Sequence, residues 1–292
     1  MRAPAALASA LALALGACGA GQSAVPRATT HPLRVMSVNQ CTDQLVLQLL
    51  PPERIASVSW LSRDPAASVM AAAAERVGVN HGIAEEVLAQ RPDLVIAGAF
   101  TTPALRASLR RLGYPLVEVD DPQSIADIRR VTRQVAAAVG EPARGEALLA
   151  EMDAKLAALA RDPAPPIRVV AWDKSGFGAG EGTLFDAVLR ASGARNAGLE
   201  VRDRRPDVEL LLKTAPALLI QGTRDPRAAD RGDDLALHRV VRKVWRGRML
   251  TVPQSAYVCG TPRFADAALA LRDQLRTAAR GAPRPALEDV RT

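Results

Sequence analysis

A pattern of 15 residues that occurs twice is the strongest constraint on this sequence. AEEVLAQRPDLVIAG spans residues 84–98, and VELLLKTAPALLIQG spans residues 208–222. Each copy is typical of a short amphipathic helix, a proline-marked turn and an apolar strand. Six positions match at an offset of 124 without a gap: Glu85 with Glu209, Leu88 with Leu212, Pro92 with Pro216, Leu94 with Leu218, Ile96 with Ile220 and Gly98 with Gly222. Six matches in equivalent units predict two related lobes.

Strands and helices alternate on both sides of a long helical stretch. The predicted strands are 34–39, 55–60, 94–97 and 116–119 in the first half, and 167–172, 218–220 and 249–252 in the second. The predicted helices are 42–50, 103–112, 124–139, 142–160, 184–191 and 263–279, with Thr42 and Thr183 as N-caps and Gly113 and Gly193 as terminators. The fold class is therefore α/β, with two Rossmann-like lobes of mainly parallel sheet joined by a long helix.

The N-terminus is typical of an exported protein. MRAPAALASALALALGAC places Arg2 before a small and apolar run from Ala5 to Ala17. That run is shorter than the roughly 20 residues that span a bilayer as a helix, and it has the charged and apolar regions of a secretory signal. The stretch Leu15–Cys18 resembles a bacterial lipobox, which implies cleavage before Cys18 and its lipidation. A plain signal peptide with an incidental Cys18 is the alternative.

These features divide the chain into six predicted parts. Residues 1–17 form a lipoprotein signal peptide, and 18–32 form a flexible tether rich in small residues, Thr and Pro. Residues 33–140 form an N-terminal α/β lobe, 141–165 the linking helix, 166–279 a C-terminal α/β lobe and 280–292 a disordered tail. The expected location is the periplasm, with the protein anchored to the inner membrane by its lipid.

The charge distribution does not favour a nucleic-acid partner. The 38 basic and 31 acidic residues leave a formal net charge of +7. Arginines are spread among acids, as in VRDRRPD, and no long basic run is interleaved with aromatic residues. Solvated helix faces explain this composition better than a nucleic-acid surface.

No enzyme signature stands out. The glycine-rich loop at 175–182 lacks the Gly-Lys-Ser/Thr ending of a phosphate loop, and no Gly-x-Ser-x-Gly elbow is present. No Cys/His spacing indicates a zinc site. We expect no catalytic residues, no resident metal and no cofactor. Because a Ser-His-Asp set need not be close in sequence, an exported enzyme, or an interaction module, is the alternative of a different class.

Candidate ligand contacts follow the predicted strands. Ligands of parallel α/β sheets bind beyond the C-terminal ends of the strands. Of nine aromatic residues, five occupy such positions: Trp60, Phe100, Trp172, Phe177 and Tyr257. They predict a pocket for a large, flat and partly apolar ligand. The further candidates near these ends are Asn39, Cys41, Arg63, Cys259 and Arg263. His81, in a loop just before the first repeated unit, is also a candidate.

Cys41 and Cys259 remain once Cys18 is assigned to the lipid. An exported protein can hold disulfides. These two cysteines can form a disulfide, remain as buried thiols or line the site.

Together these segments resemble the periplasmic solute-binding proteins of ABC importers for cobalamin, ferric siderophores and haem. The resemblance covers residues 33–279 and rests on RVMSVNQCTDQLVLQLLPPERIASVSW, the linking helix, GEGTLFDAVLRASGARNAG and the two repeated units. It is closest to the cobalamin-binding branch. It implies the helical-backbone solute-binding fold and a monomer that captures a corrinoid between its lobes and delivers it to an ABC permease dimer. An iron chelate, either a ferric siderophore or haem, is the alternative ligand.

The resemblance also implies roles for particular residues. In this family a glutamate from each lobe docks on arginines of the permease, and those positions match Glu85 and Glu209, with Glu86 as a competitor in the first lobe. The alternative is stabilisation of the helix dipole, worth about 0.3–1 kcal/mol. With an anionic ligand, Arg63 and Arg263 would form the ion pairs. With haem, His81 or Tyr257 would ligate the iron.

The sequence departs from the cobalamin-binding relative at one position. That relative has a disulfide within its second lobe, and the first of its two cysteines corresponds here to Ser192. The same bridge cannot form in this chain. A bond between Cys41 and Cys259 would instead clamp the lobes or close one side of the pocket. Because the linking helix is continuous, we also expect only a modest conformational change on binding.

Overall fold

The computed structural model describes residues 33–172, 179–200, 207–223 and 238–281. The predictions for the signal peptide, Cys18, the tether, Phe177 and most of the tail concern residues outside these ranges. No helix within them is long and apolar enough to cross a membrane.

Five parallel strands form the sheet of the first lobe. They are β1 (Val35–Ser37), β2 (Ile55–Ser59), β3 (Val79–Asn80), β4 (Leu94–Gly98) and β5 (Leu116–Val119). Their order is β3-β2-β1-β4-β5. The chain moves outward from β1 in both directions, so connections diverge at the C-terminal ends of β1 and β4. In open α/β sheets this switch point is where ligands bind.

Four helices belong to this lobe: α1 (Gln40–Leu49), α2 (Ala71–Ala74), α3 (Ala84–Gln90) and α4 (Pro103–Arg111). The prediction that Thr42 caps α1 is wrong. The helix begins two residues earlier, and the side chain of Asn39 accepts hydrogen bonds from the backbone N–H groups of Cys41 (2.9 Å) and Thr42 (3.4 Å). Asn39 has the extended backbone of an N-cap, which Thr42 lacks because it lies inside the first turn.

The second lobe repeats the design with four parallel strands in the described residues. They are β6 (Arg168–Trp172), β7 (Arg195–Asn196), β8 (Leu218–Thr223) and β9 (Met249–Pro253), in the order β7-β6-β8-β9. The helices described here are α7 (Leu184–Ser192), α8 (Val208–Thr214), α9 (Arg239–Val244) and α10 (Phe264–Gly281). Thr183 caps α7, and Gly193 ends it at a φ of 96°, as predicted.

Two antiparallel neighbours, α5 (Ile125–Ala138) and α6 (Pro142–Arg161), connect the lobes. They contribute to both hydrophobic cores: Val131 and Val135 are buried in the first, and Leu149 and Met152 in the second. The helices approach closely at Gly145, where an added Cβ would lie 2.5 Å from the Cβ of Ala136. The pair therefore packs as one rigid element between the sheets, and the predicted α/β fold with a long linking helix is confirmed.

The repeated units have the same local geometry. Helices α3 and α8 have seven residues each, and each is followed by a residue with left-handed backbone, Arg91 at a φ of 46° and Ala215 at a φ of 45°. Their N–H groups donate to Val87 and Leu211 respectively, at 2.9 Å in both units. No other non-glycine residue in the described ranges has a positive φ. Arg91 and Ala215 are also 124 positions apart. The two repeated units therefore share a strained backbone conformation at a position where their residue types differ.

Replacing Ala215 by glycine should stabilise the protein. An L-residue is strained in the left-handed region and glycine is not, and part of the gain is offset by the greater freedom of glycine in the unfolded chain. We expect a net gain of about 0.5–1 kcal/mol, measured by urea denaturation. Ala154→Gly is the matched control. It lies at an exposed position inside α6 and should cost about 1 kcal/mol. A loss of stability in Ala215→Gly would contradict the strain argument.

Candidate functional site

The C-terminal ends of the two sheets meet at a disulfide. Cys41 lies in the first turn of α1, directly after β1, and Cys259 follows β9. The structure joins their sulfurs, with the Cα atoms 4.9 Å apart and a separation of 218 positions in sequence. Of the three states that the sequence leaves open for these cysteines, the structure has the interlobe bond.

The space beside the disulfide is small. Its walls come from both lobes and include Asn39, Cys41, Phe100, Asp121 and Gly260. Its interior volume of about 10 Å³ is close to that needed for a single water molecule. On this side the lobes touch, since a Cβ added to Gly260 would lie 2.5 Å from the Cβ of Pro122. A large ligand does not fit at this point in the cleft.

Two of the predicted aromatic contacts are accessible. Trp60 begins the 3-10 turn that follows β2 and is 53% exposed. Phe100 follows β4 and is 77% exposed. Single exposed hydrophobic side chains are common on protein surfaces, so the positions of these two rings matter more than their exposure. Their place beyond the strand ends makes them the best candidates for ligand contact among the described residues.

The structure does not place Trp172 or Tyr257 on an accessible surface. Trp172 is fully buried in the same cluster as Leu211 and Trp245, because it points to the sheet face that α8 and α9 cover. Tyr257 is 5% exposed, and its ring stacks on that of Phe185 with centroids 4.1 Å apart. Both side chains therefore stabilise the second lobe in this structure.

The two candidate arginines are engaged within the chain. Arg63 donates to the carbonyl oxygens of Val77 (2.7 Å) and Ala74 (3.3 Å), and so holds the segment between β2 and β3. Arg263 forms an ion pair with Asp266 at 3.3 Å. Pairing with an anionic ligand would compete with these contacts. This role of either arginine stays a prediction.

His81 is accessible, and its ring is oriented by a carboxylate. It follows β3, and its side chain is 64% exposed. The backbone N–H of His81 donates to Glu86 Oε2 at 2.6 Å, and Nδ1 lies 2.8 Å from Oε1. Partial burial would raise the pKa of Glu86, but the hydrogen bonds from His81 outweigh it and hold that pKa below its usual value. With the proton on Nδ1, the lone pair of Nε2 is available to a ligand.

This contact separates the two candidate docking residues of the first lobe. Glu86 is committed to His81, whereas the carboxylate of Glu85 is exposed and makes no hydrogen bond or ion pair with any residue the structure describes. The same holds for the carboxylate of Glu209 in the described residues, where Asp207 accepts the hydrogen bond from its backbone N–H. The geometry therefore favours Glu85 over Glu86 as the counterpart of Glu209.

Asp43 is a site-supporting residue that the sequence reasoning missed. It is fully buried, and its Oδ2 accepts hydrogen bonds from the N–H of Ser59 (3.0 Å), the hydroxyl of Ser59 and the hydroxyl of Ser62 (2.7 Å). These serines flank Trp60, so the carboxyl ties α1 to the turn that presents the indole. Its signal in the sequence is that it is the only charged residue in the otherwise uncharged helix QCTDQLVLQL.

No group of three or more His, Cys, Asp or Glu side chains in the described ranges could hold a metal ion. The candidate site is a cleft edge with accessible aromatic and imidazole groups. Such a surface suits the binding of a solute.

A model of the periplasmic binding protein family matches residues 35–244. The chain therefore belongs to the periplasmic binding protein family, which confirms the class inferred from the resemblance. A search of curated proteins found no match.

Solved structures show the same fold. The periplasmic haem-binding protein RhuT of Roseiflexus sp. RS-1 is 24% identical, with a TM-score of 0.67 over 85% of this chain and 100% of its own. The periplasmic haem-binding protein HutB of Vibrio cholerae is 16% identical, with a TM-score of 0.68 over 84% of this chain and 99% of its own. The vitamin B12-binding protein BtuF of Vibrio cholerae is 16% identical, with a TM-score of 0.60 over 85% of this chain and 99% of its own.

Asp43 should make stability depend on pH. Burial raises its pKa from 3.8 to about 6, against the opposing hydrogen bonds from the serine hydroxyls. A carboxyl whose pKa is higher in the folded state stabilises the fold when protonated, so its contribution grows as pH falls through about 6. Lowering the pH from about 7.5 to about 5 should therefore increase the contribution of Asp43 to the free energy of unfolding by roughly 1 kcal/mol.

The measurement is urea denaturation of wild type and Asp43→Asn at both pH values. Other carboxylates titrate as well, so the difference between the two proteins isolates Asp43. As the pH is lowered, the free energy of unfolding of the wild type should increase relative to that of Asp43→Asn. A difference that does not change with pH would mean that Asp43 has an ordinary pKa.

Proposed function

We propose that this protein is the solute-binding component of an ABC importer, and that it captures a corrinoid between its lobes and delivers it to the permease. The observation that carries the proposal is the matched pair Glu85 and Glu209. Both are exposed, both lie in the first turn of an equivalent helix, and neither carboxylate has a partner in the described residues. No hydrogen bond or ion pair among the described residues accounts for this pair.

Two equivalent carboxylates suit a partner that offers two equivalent cationic sites. A permease dimer has that symmetry, and one carboxylate from each lobe would engage one subunit. Charge complementarity of this kind mainly orients the encounter and raises the association rate. A helix-dipole role would need neither exposure nor the same position in both lobes.

The accessible groups at the cleft edge favour a flat ligand with apolar faces. Trp60 and Phe100 present aromatic surface to solvent beyond β2 and β4, the two strands that flank β1 in the first sheet. Rings of this kind gain from stacking on an extended planar system. A corrin macrocycle fits this requirement, and the resemblance of the sequence to the cobalamin-binding branch supports it.

Haem is the second candidate, and His81 favours it. Histidines that ligate metals usually donate their other ring N–H to a carboxylate, which orients the ring and raises its basicity. His81 and Glu86 have this arrangement, with an exposed imidazole. A corrinoid does not require such a group from the protein, whereas haem iron does.

Absorbance titration of the purified protein with cobalamin, haem and ferric siderophores tests the ligand. We expect cobalamin to bind. Trp60→Ala and Phe100→Ala should each weaken binding by about tenfold, because each removes a stacking surface. Leu112→Ala is the control. Leu112 is also exposed, but it lies at the end of α4, toward the opposite edge of the sheet.

Haem binding with a ligation spectrum that His81→Ala abolishes would replace the corrinoid with haem. If only a ferric siderophore binds, it would replace both cobalamin and haem as the proposed ligand of this protein. A protein that binds none of these ligands would refute the ligand assignment and leave the fold and family unchanged.

Substitution of the paired glutamates should separate transport from binding. In cells whose uptake depends on this protein, Glu85→Ala with Glu209→Ala should reduce uptake by about tenfold or more, through two lost charge contacts. Ligand affinity in vitro should not change. Glu53→Ala is the control, since Glu53 is exposed near the start of β2. Uptake that survives in the double variant but fails in Glu86→Ala would assign the contact to Glu86.

The remaining predictions complete the proposal. Cys18 would anchor the mature protein to the membrane, and the mass of its processed N-terminal peptide tests this. We propose binding without catalysis, because the family is one of binding proteins. A permease and an ATPase encoded beside this protein would support import over an exported enzyme.

A further inference from the structure

The Cys41–Cys259 bond lies on the side of the cleft where the chain crosses between the lobes, which we call the hinge side. Gly260, directly after Cys259, packs against Pro122 and lies near Ile128. Both of these residues belong to the path from β5 through α5, along which the chain crosses between the lobes. The disulfide therefore adds a covalent connection close to the existing one. Between them the cavity has room for about one water molecule.

The other side of the first sheet has no such closure in the described residues. β2 and β3 lie on the far side of β1 from β4 and β5. Adjacent strands are about 4.8 Å apart, so the end of β3 is roughly 10 Å from that of β1. Trp60 and His81 follow these two strands, and both are exposed. One side of the cleft is thus bonded and packed around a small cavity that Phe100 also borders, whereas Trp60 and His81 border the other side.

Helix α1 couples the two sides. It contains Cys41 and, two residues later, Asp43, whose carboxyl holds the serines on either side of Trp60. The disulfide and the turn that presents Trp60 are therefore attached to the same helix. A bond at Cys41 fixes the position of that helix relative to the second lobe.

We propose that the Cys41–Cys259 disulfide is a staple that keeps the hinge side of the cleft closed, so that the lobes separate, and the solute gains access, on the side of Trp60 and His81. The mechanical part of this proposal does not depend on the identity of the solute. The access route rests on the proposed function.

Hydrogen exchange of the ligand-free protein, with and without dithiothreitol, tests the staple. The dithiol transfers two electrons and two protons to the disulfide, giving two cysteine thiols and the cyclic disulfide of the reagent. Reduction should speed exchange in peptides that cover 123–128 and 258–261 by about tenfold, because the bond no longer limits local opening. Peptides that cover buried β4 serve as the internal control and should not change.

The variant Cys41→Ser with Cys259→Ser should exchange like the reduced wild type, and dithiothreitol should not affect it. Its thermal unfolding checks that it folds. The staple is refuted if reduction leaves the hinge-side peptides unchanged, or if the reagent changes the variant as much as the wild type.

Binding kinetics test the access route. With cobalamin as the probe, Trp60→Ala should slow association severalfold while the disulfide is intact. An unchanged association rate would refute access on that side. If cobalamin does not bind to the wild type, the ligand assignment fails, and haem, the second candidate, becomes the kinetic probe. The exchange experiment decides the staple in either case.

Discussion

Parallel strand pairing is the constraint on which the rest of this structure depends. Every pair described in the two sheets is parallel, so each crossover returns the chain to the same edge before the next strand begins. The C-terminal ends therefore collect at one edge of each sheet. The fold then brings these edges together at Cys41 and Cys259, beside a small cavity. A cleft between the lobes is a consequence of this arrangement.

Three interactions limit how that cleft can move. The pair α5–α6 shares residues with both cores, so it cannot bend without disturbing apolar packing. The disulfide connects the lobes a second time. The buried carboxyl of Asp43 couples α1 to the turn of Trp60, at the cost of an unfavourable environment for its charge. Together they should favour small motions over a wide hinge, and the modest change expected on binding stays a prediction.

Particular residues show how far sequence reasoning reached. The edges of β5 and the start of α7 were predicted to the residue, because apolar runs and cap residues mark them directly. β3 and β7 were missed, since two-residue strands carry no periodicity. Trp172 and Tyr257 were assigned to the cleft by their place after a strand. A strand end does not reveal which face a side chain takes, and both are buried in the second lobe.

The sequence by itself determined the α/β class, the duplicated unit and the two glutamates. Helix and strand periodicity are local properties of a chain, and a matched spacing can be read directly from the order of its residues. Only the tertiary structure decided which cysteines are bonded, which aromatic rings are accessible and which of Glu85 and Glu86 lacks a side-chain partner among the described residues. These depend on contacts between residues far apart in sequence, such as Cys41 with Cys259, or on the direction of one side chain, such as His81 toward Glu86. Both kinds of contact are made when the sheets and helices pack.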